Sequence, residues 1–435
     1  MTTPSISHRR VLRIAVPIVL SNATIPILGA VDTGVVGQIG LAAPVGAVGI
    51  GAVILASLYW IFGFLRMGTS GLVAQAHGAG DTVEVGALLV RGLLIGLGAG
   101  LVYLVLSPLL FQAAFHIAPA SEEVEDLARA YMSVRIWGAP ATIAIYALTG
   151  WLIAMERTRG VLWLQLGMNM VNVVLDLWFV LGLGWGVVGV AWATLAAEFS
   201  GLVIGLYLCR DAFADPMSRA ASVVFDRVKL IRMAAVNGDI LIRSVLLQAS
   251  FTSFLFLGAG LGDVQLAANQ VLMQFLQFTA FGLDGFAFAA ETLVGQALGR
   301  RNRPELRSAA IVTSQWGVAV SVGLCVVFWI FGPMVIDIMT TAPDVRIAAR
   351  EYLPWIAVAP VVGIASWMLD GVFIGATRTG PMRNAMILSV AIYVVAVLIL
   401  LPQFGNHGLW AALMILNTAR GVTLALRYPA LEAAV

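Results

Sequence analysis

Gly71-Leu-Val-Ala-Gln-Ala-His-Gly78 returns as Thr292-Leu-Val-Gly-Gln-Ala-Leu-Gly299, 221 residues further along a chain of 435. Ala128-Arg-Ala-Tyr131 and Ala349-Arg-Glu-Tyr352 repeat at the same distance, as do Arg157-Thr158 and Arg378-Thr379, and Gly186 and Gly408 agree within one residue. Each match is weak alone. One offset shared by separate pairs marks an internal duplication, which decides the architecture before any local pattern is weighed.

What is duplicated is a series of apolar segments. The sequence is 60% hydrophobic and 11% charged, whereas a water-soluble domain needs about 25% charged residues to cover its surface. A bilayer core about 30 Å thick asks for about 20 apolar residues per helix. That length recurs over residues 11–36, 44–64, 87–111, 128–152, 161–183 and 186–208, and again over 233–258, 267–290, 309–331, 352–374, 385–401 and 408–426. The predicted fold is an all-α polytopic membrane protein, with twelve transmembrane helices in two six-helix lobes related by a parallel internal repeat. The lobes are expected over residues 1–209 and 233–435, joined by a cytoplasmic linker over 210–232 that carries Pro216 and mixed charges. Six helices are an even number, so both copies enter the membrane with the same polarity, about an axis along its normal.

The first apolar stretch is too long for the core of a signal peptide and reads as the first span. Basic loops stay on the cytoplasmic side. With the N-terminus inside, most of the 25 Lys and Arg fall in inside segments, Arg66, Arg91, Lys229 and Arg420 among them; Arg129, Arg135, Arg346 and Arg350 fall at outer helix ends. Both termini are therefore predicted to be cytoplasmic, and Glu122, Glu123, Glu125 and Asp126 to form a solvated outer loop. Cys209 and Cys325 lie in or beside apolar segments and the four histidines are scattered, so neither disulfide framework nor metal cluster is expected.

Ionisable side chains at bilayer depth cost about 2.5 to 3.5 kcal/mol each on insertion scales, which makes them the first functional candidates. Asp32, Asp176 and Glu198 lie in the first half, and Asp239, Arg243, Asp284, Glu291 and Asp370 in the second. Carried through the offset, the first three land on Ser253, Val397 and Ala419. The acidic set is not duplicated, and unduplicated features are better candidates for function than for scaffold. Asn172 and Asp176 stand four apart and share a helical face, as do Thr194 and Glu198. Converging with Asp32, they would form an all-oxygen site suited to a proton relay or a weakly held Na⁺; the structural alternative is a buried hydrogen bond. Pro17 and Pro26 each remove a backbone hydrogen bond from the helix carrying Asp32, as a hinge or as packing kinks. Asp239 and Arg243, four apart, read as a neutralised intrahelical pair, or else as cavity residues. Asp284 and Glu291 share a face among Phe281, Phe286 and Phe288. Such an acidic, aromatic wall suits organic cations; the alternative is a set of helix-end or interlobe contacts.

The chain resembles the multidrug and toxic compound extrusion (MATE) transporters, and within them the DinF branch. The residues that carry the resemblance are Ala30-Val-Asp32-Thr-Gly34, Asn172-Val-Val-Leu-Asp176 followed by Gly182-Leu-Gly-Trp-Gly-Val-Val-Gly189 and Ala193-Thr194, and Leu283-Asp-Gly-Phe-Ala287 with Glu291. The resemblance covers nearly the whole chain. It implies a two-lobe secondary antiporter of the bacterial inner membrane, monomeric and without cofactor or nucleic-acid partner. Such a protein exports drug-like organic compounds, often cationic or amphipathic, against H⁺ or Na⁺ by alternating access. It places the cation site of the N-terminal lobe on Asp32, Asn172, Asp176 and Thr194, with Glu198 beside it. The acidic site that other branches carry in the C-terminal lobe is not clearly reproduced by Asp239 and Asp370.

The nearest rival is a lipid-linked precursor flippase of the same superfamily, whose cavity would need more basic residues to hold pyrophosphate; Arg243 is the one obvious candidate. An enzyme would need a nucleophile or metal constellation at bilayer depth, and a channel a pore lined by both repeats. The sequence shows neither pattern.

Overall fold

The computed structural model describes residues 6–38, 40–117 and 121–434, and among them every regular element is a helix. Eleven helices among the described residues are long and apolar enough to cross a membrane: α1 His8–Gly37, α2 Ala42–Gly78, α3 Thr82–His116, α4 Glu122–Ala154, α5 Thr158–Gly182, α6 Gly186–Leu208, α7 Arg227–Ala259, α8 Asp263–Gly299, α9 Arg303–Met339, α10 Pro343–Gly375 and α11 Thr379–Ala433. The last is two passes. Gly405 in its middle has φ 55° and ψ −131°, a conformation essentially confined to glycine. Gly408 then lies against the backbone of Leu400 and Leu401, which a straight helix rising 1.5 Å per residue would hold about 12 Å away. The chain turns back at Gly405, and the count of twelve spans stands.

The duplication extends to the backbone. Gly184 (φ 70°) closes the turn between α5 and α6, and Gly405 is its counterpart 221 residues on; Gly80 (76°) matches Arg301 (53°), and Glu156 (57°) matches Thr377 (50°). Left-handed residues of this kind end helices sharply, at a cost that non-glycines bear more heavily. Helix starts repeat as well. Asp81 accepts a hydrogen bond from the Glu84 backbone N–H (2.9 Å), and its counterpart Asn302 accepts one from Glu305 (3.1 Å), each satisfying an orphan donor of the first turn.

By contact density the chain forms two units. One holds residues 20–73 and 81–230; the other holds the residues up to Val19, Ala74–Gly80 and everything from Ile231 on. The first half of α1 and the end of α2 therefore pack with helices of the second half. For α2 the reason is the duplicated stretch itself. A Cβ on Gly78 would run into the Gln296 backbone, and one on Gly299 into the Gln75 backbone, while Gly295 lies against Ala74. The two copies cross reciprocally through their small residues, and such close approach drives helix association where lipid is as apolar as the side chains. Gln75 Nε2 fixes the crossing by donating to Gly375 O and Thr377 Oγ1, both at 3.0 Å.

Each unit has its own core, Val36, Leu55, Tyr131, Met132 and Val190 in the first-half unit, and Phe254, Leu272, Phe275, Ile356 and Trp410 in the other. Large apolar side chains such as Val105, Met170, Ile338 and Leu398 are exposed, as a surface bathed in lipid permits. The connecting segment after α6 folds as short turns and is bound to α3. Buried Arg91 donates to Val224 O (2.8 Å) and Val223 O (2.6 Å), and Glu84 holds both Arg91 and Lys229 at 2.6 Å.

Candidate functional site

In the first-half unit α1, α5 and α6 bring four polar residues together. Asn172 and Asp176 project from one face of α5, and both are fully buried. Asn172 Nδ2 donates to Thr194 Oγ1 on α6 (3.2 Å), and that hydroxyl donates in turn to Val190 O (2.9 Å). Asp32, half-buried on α1, has its carboxyl within hydrogen-bonding reach of Asp176 and Asn172. One N–H of the Asn172 amide is used on Thr194, and the carboxyls of Asp32 and Asp176 face each other beside it. Among the described residues no donor forms a hydrogen bond with Oδ1 of Asp32, Oδ1 of Asn172 or either oxygen of Asp176.

Glu198, one turn beyond Thr194, is placed differently. Its Oε1 lies 2.6 Å from Arg135 Nη1, both side chains being about 90% buried or more. Arg135 ends the first helical piece of α4, Glu122–Arg135, which a single 3₁₀ turn, Ile136–Gly138, joins to Ala139–Ala154. Its Nε donates to Tyr131 Oη (3.3 Å), and its carbonyl accepts from Tyr59 Oη (3.4 Å). Gly138 leaves room for the pair, since a Cβ there would overlap Glu198 Oε2. Glu198 is thus charge-balanced, and Arg135 acts by Coulomb attraction on Asp32 and Asp176 as well.

An outer helix end is where the sequence puts Arg135, and the structure shows this side chain buried against Glu198. The spacing Tyr131–Arg135 was visible, but the continuation of α4 inward through a 3₁₀ turn was not.

In the other unit the pairing of Asp239 with Arg243 within one helix is not what forms. Arg243 pairs with Asp370 on α10, which also holds Arg420 on α11 at 2.7 Å. Asp239 instead pairs with Arg383 (2.7 Å) and accepts from Thr379 Oγ1 (3.0 Å). A spacing of four permits an intrahelical pair, but partners on neighbouring helices reach further into the interior. Arg420, counted among the cytoplasmic bases by the sequence, is 5% exposed. On α8, Glu291 is buried, Asp284, Phe281 and Phe288 are half-buried, and Phe286 stacks on Trp316 at 6.3 Å.

The pattern of the MatE family matches residues 17–178 and 240–400, once in each half. This chain belongs to the MATE family. It is 38% identical to the DNA damage-inducible protein F of Escherichia coli over 96% of its own length and 91% of that protein's. It is 28% identical to a probable multidrug resistance protein NorM of Synechocystis over 74% and 68% of the two chains. The crystal structure of the Vibrio cholerae MATE transporter VcmN in the bent form shares its fold, with a TM-score of 0.86 at 18% identity over 98% and 97% of the chains.

As a MATE protein of the DinF kind it is a multi-pass membrane transporter of a multidrug-efflux family. The helix that bears its Asp32 is helical without interruption through buried Pro17 and exposed Pro26. Near Pro26 the Thr24 carbonyl accepts from Asn169 Nδ2 on α5 (3.4 Å), which ties this part of α1 to the helix of Asn172 and Asp176.

Proposed function

We propose that this MATE protein is a secondary multidrug efflux antiporter of the inner membrane, with both termini cytoplasmic, that exports organic, often cationic or amphipathic compounds in exchange for H⁺ or Na⁺. One observation carries the reading: Asp32 Oδ1, Asn172 Oδ1 and both carboxyl oxygens of Asp176 converge, and among the described residues no donor is bonded to them. Two carboxyl groups at such range in a low-dielectric interior do not both stay charged unless a cation joins them; otherwise one takes a proton. Either event changes the attraction between α1 and α5. Helix α1 contributes residues up to Val19 to one unit and from Leu20 to the other, and Pro17 and Pro26 flank that point. Loading or emptying the site therefore acts on a helix that both units share, which is the coupling that alternating access requires. Asp284, Glu291, Phe281 and Phe288 on α8 supply acidic and aromatic contacts for an organic cation. The protein works as a monomer and needs no cofactor.

The test is dye efflux from liposomes containing the purified protein, under an imposed pH gradient and then a Na⁺ gradient. One gradient is expected to drive efflux, and Asp32→Asn to abolish it at normal expression. Undiminished efflux from that variant removes Asp32 from the mechanism, and indifference of the native protein to both gradients removes antiport. The flippase reading gains Arg420 beside Arg243, and transbilayer movement of a lipid-linked pyrophosphate in the same vesicles would establish it instead.

A further inference from the structure

The cluster around Asp370 is short of negative charge. Arg243 of α7, Asp370 of α10, and Asn417 and Arg420 of α11 are between 1% and 8% exposed. Both guanidinium groups converge on one oxygen, Oδ2 of Asp370. Arg420 Nη1 also donates to Asn417 Oδ1 at 3.1 Å. The charges that act on Arg420 are those of Asp370 and Arg243, so two cations share one anion. Two donors of the same connected group are unused: among the described residues no acceptor bonds Arg243 Nε or Asn417 Nδ2.

An excess carboxyl at this depth is discharged by taking up a proton. A guanidinium has no such exit, because it does not deprotonate in proteins. A buried charge without a partner is strongly destabilising, and unbonded buried donors add the cost of their lost hydration. One accepting group of single negative charge removes both costs together. We propose that the Arg243–Asp370–Arg420–Asn417 cluster binds a small monovalent anion, a halide or a carboxylate head group, with Arg243 Nε and Asn417 Nδ2 among its donors.

The experiment is thermal unfolding of the full-length protein in neutral detergent, followed by tryptophan fluorescence, with potassium gluconate replaced by potassium chloride or potassium acetate at constant ionic strength. The midpoint should rise saturably. A rise with chloride alone assigns a halide site, and a rise with acetate assigns a carboxylate site. Arg420→Met leaves Asp370 neutralised by Arg243 and should abolish the dependence. Asp370→Asn adds to the excess charge and should lower the half-saturating concentration by about tenfold, the factor that 1.4 kcal/mol produces. Should Arg420→Met not fold, Asn417→Leu keeps every charge, removes one donor and should raise that concentration. A midpoint indifferent to the anion, full dependence in Arg420→Met, or unchanged saturation in Asn417→Leu overturns the site. No outcome depends on transport, so failure here leaves the antiport reading standing, and the converse holds as well.

Discussion

At positions matched by the duplication, the first half carries Asp32 and Asn172 and the second carries Ser253 and Tyr393. In the first half the carboxyl of Asp32 faces other acceptors. In the second, the Ser253 and Tyr393 hydroxyls bond each other at 3.2 Å, and each group is satisfied. The sixth helix of each half differs by sign. One extra residue precedes Gly408, so the counterpart of Glu198 is Arg420 rather than its neighbour Ala419. Glu198 answers the single buried base Arg135, whereas Arg420 competes with Arg243 for a single acid. One backbone plan therefore holds one cluster with more acids than bases and one with more bases than acids.

The largest effects should come from removing one partner of each cluster. Arg135→Met strands Glu198 at depth and is expected to cost about 3–5 kcal/mol, the usual penalty for an uncompensated buried charge. Adding Glu198→Leu should return most of it. Arg243→Met should cost far less, because Asp370 keeps Arg420. Urea unfolding of the three variants in detergent measures the ranking, and equal losses in Arg135→Met and Arg243→Met would break the contrast between the clusters.

This contrast was only half legible in the sequence. Asp32, Asn172, Asp176 and Thr194 could be read because spacings of four put side chains on one helical face, and because the repeat showed which acids had no counterpart. The twelve spans could be read because apolar length is nearly sufficient in a bilayer. Arg135 and Arg420 could not, since rules for loop charge treat a base near a helix end as solvated. Whether α4 carries Arg135 inward is fixed by the 3₁₀ turn at Ile136–Gly138 and by Glu198 sixty residues on, neither of which leaves a local pattern. The same blindness to partners on other helices turned Asp239 and Arg243 into a false intrahelical pair. The exchange of Ala74–Gly80 into the second-half unit follows from backbone contact at Gly78 and Gly299; the sequence displayed those glycines without saying that they meet.

A smaller effect tests the space that Glu198 needs. Gly138→Ala puts a methyl where Glu198 Oε2 lies, and forcing an atom into a filled site costs about 1–3 kcal/mol. The matched position in the second half is already Ala359, fully buried. The expected result is a lower unfolding midpoint for Gly138→Ala that Glu198→Leu does not compound. Additive losses from the two substitutions would show that Gly138 serves the helix turn and not the ion pair.

The smallest effect should be at Asp239. Its partner Arg383 keeps 35% of its side-chain exposure, so solvent screens the pair, and exposed pairs contribute about 0.2–1 kcal/mol. Arg383→Gln also leaves Asp239 the hydroxyl of Thr379. The midpoint should therefore fall by no more than this range implies, and the difference from the native protein should shrink further at high salt, where screening already weakens the native pair. A loss as large as that of Arg135→Met, unaffected by salt, would mean that Asp239 is desolvated in the membrane. The second half would then hold two buried clusters whose charges depend on each other, and the excess of base around Asp370 would have to be recounted with Asp239 included.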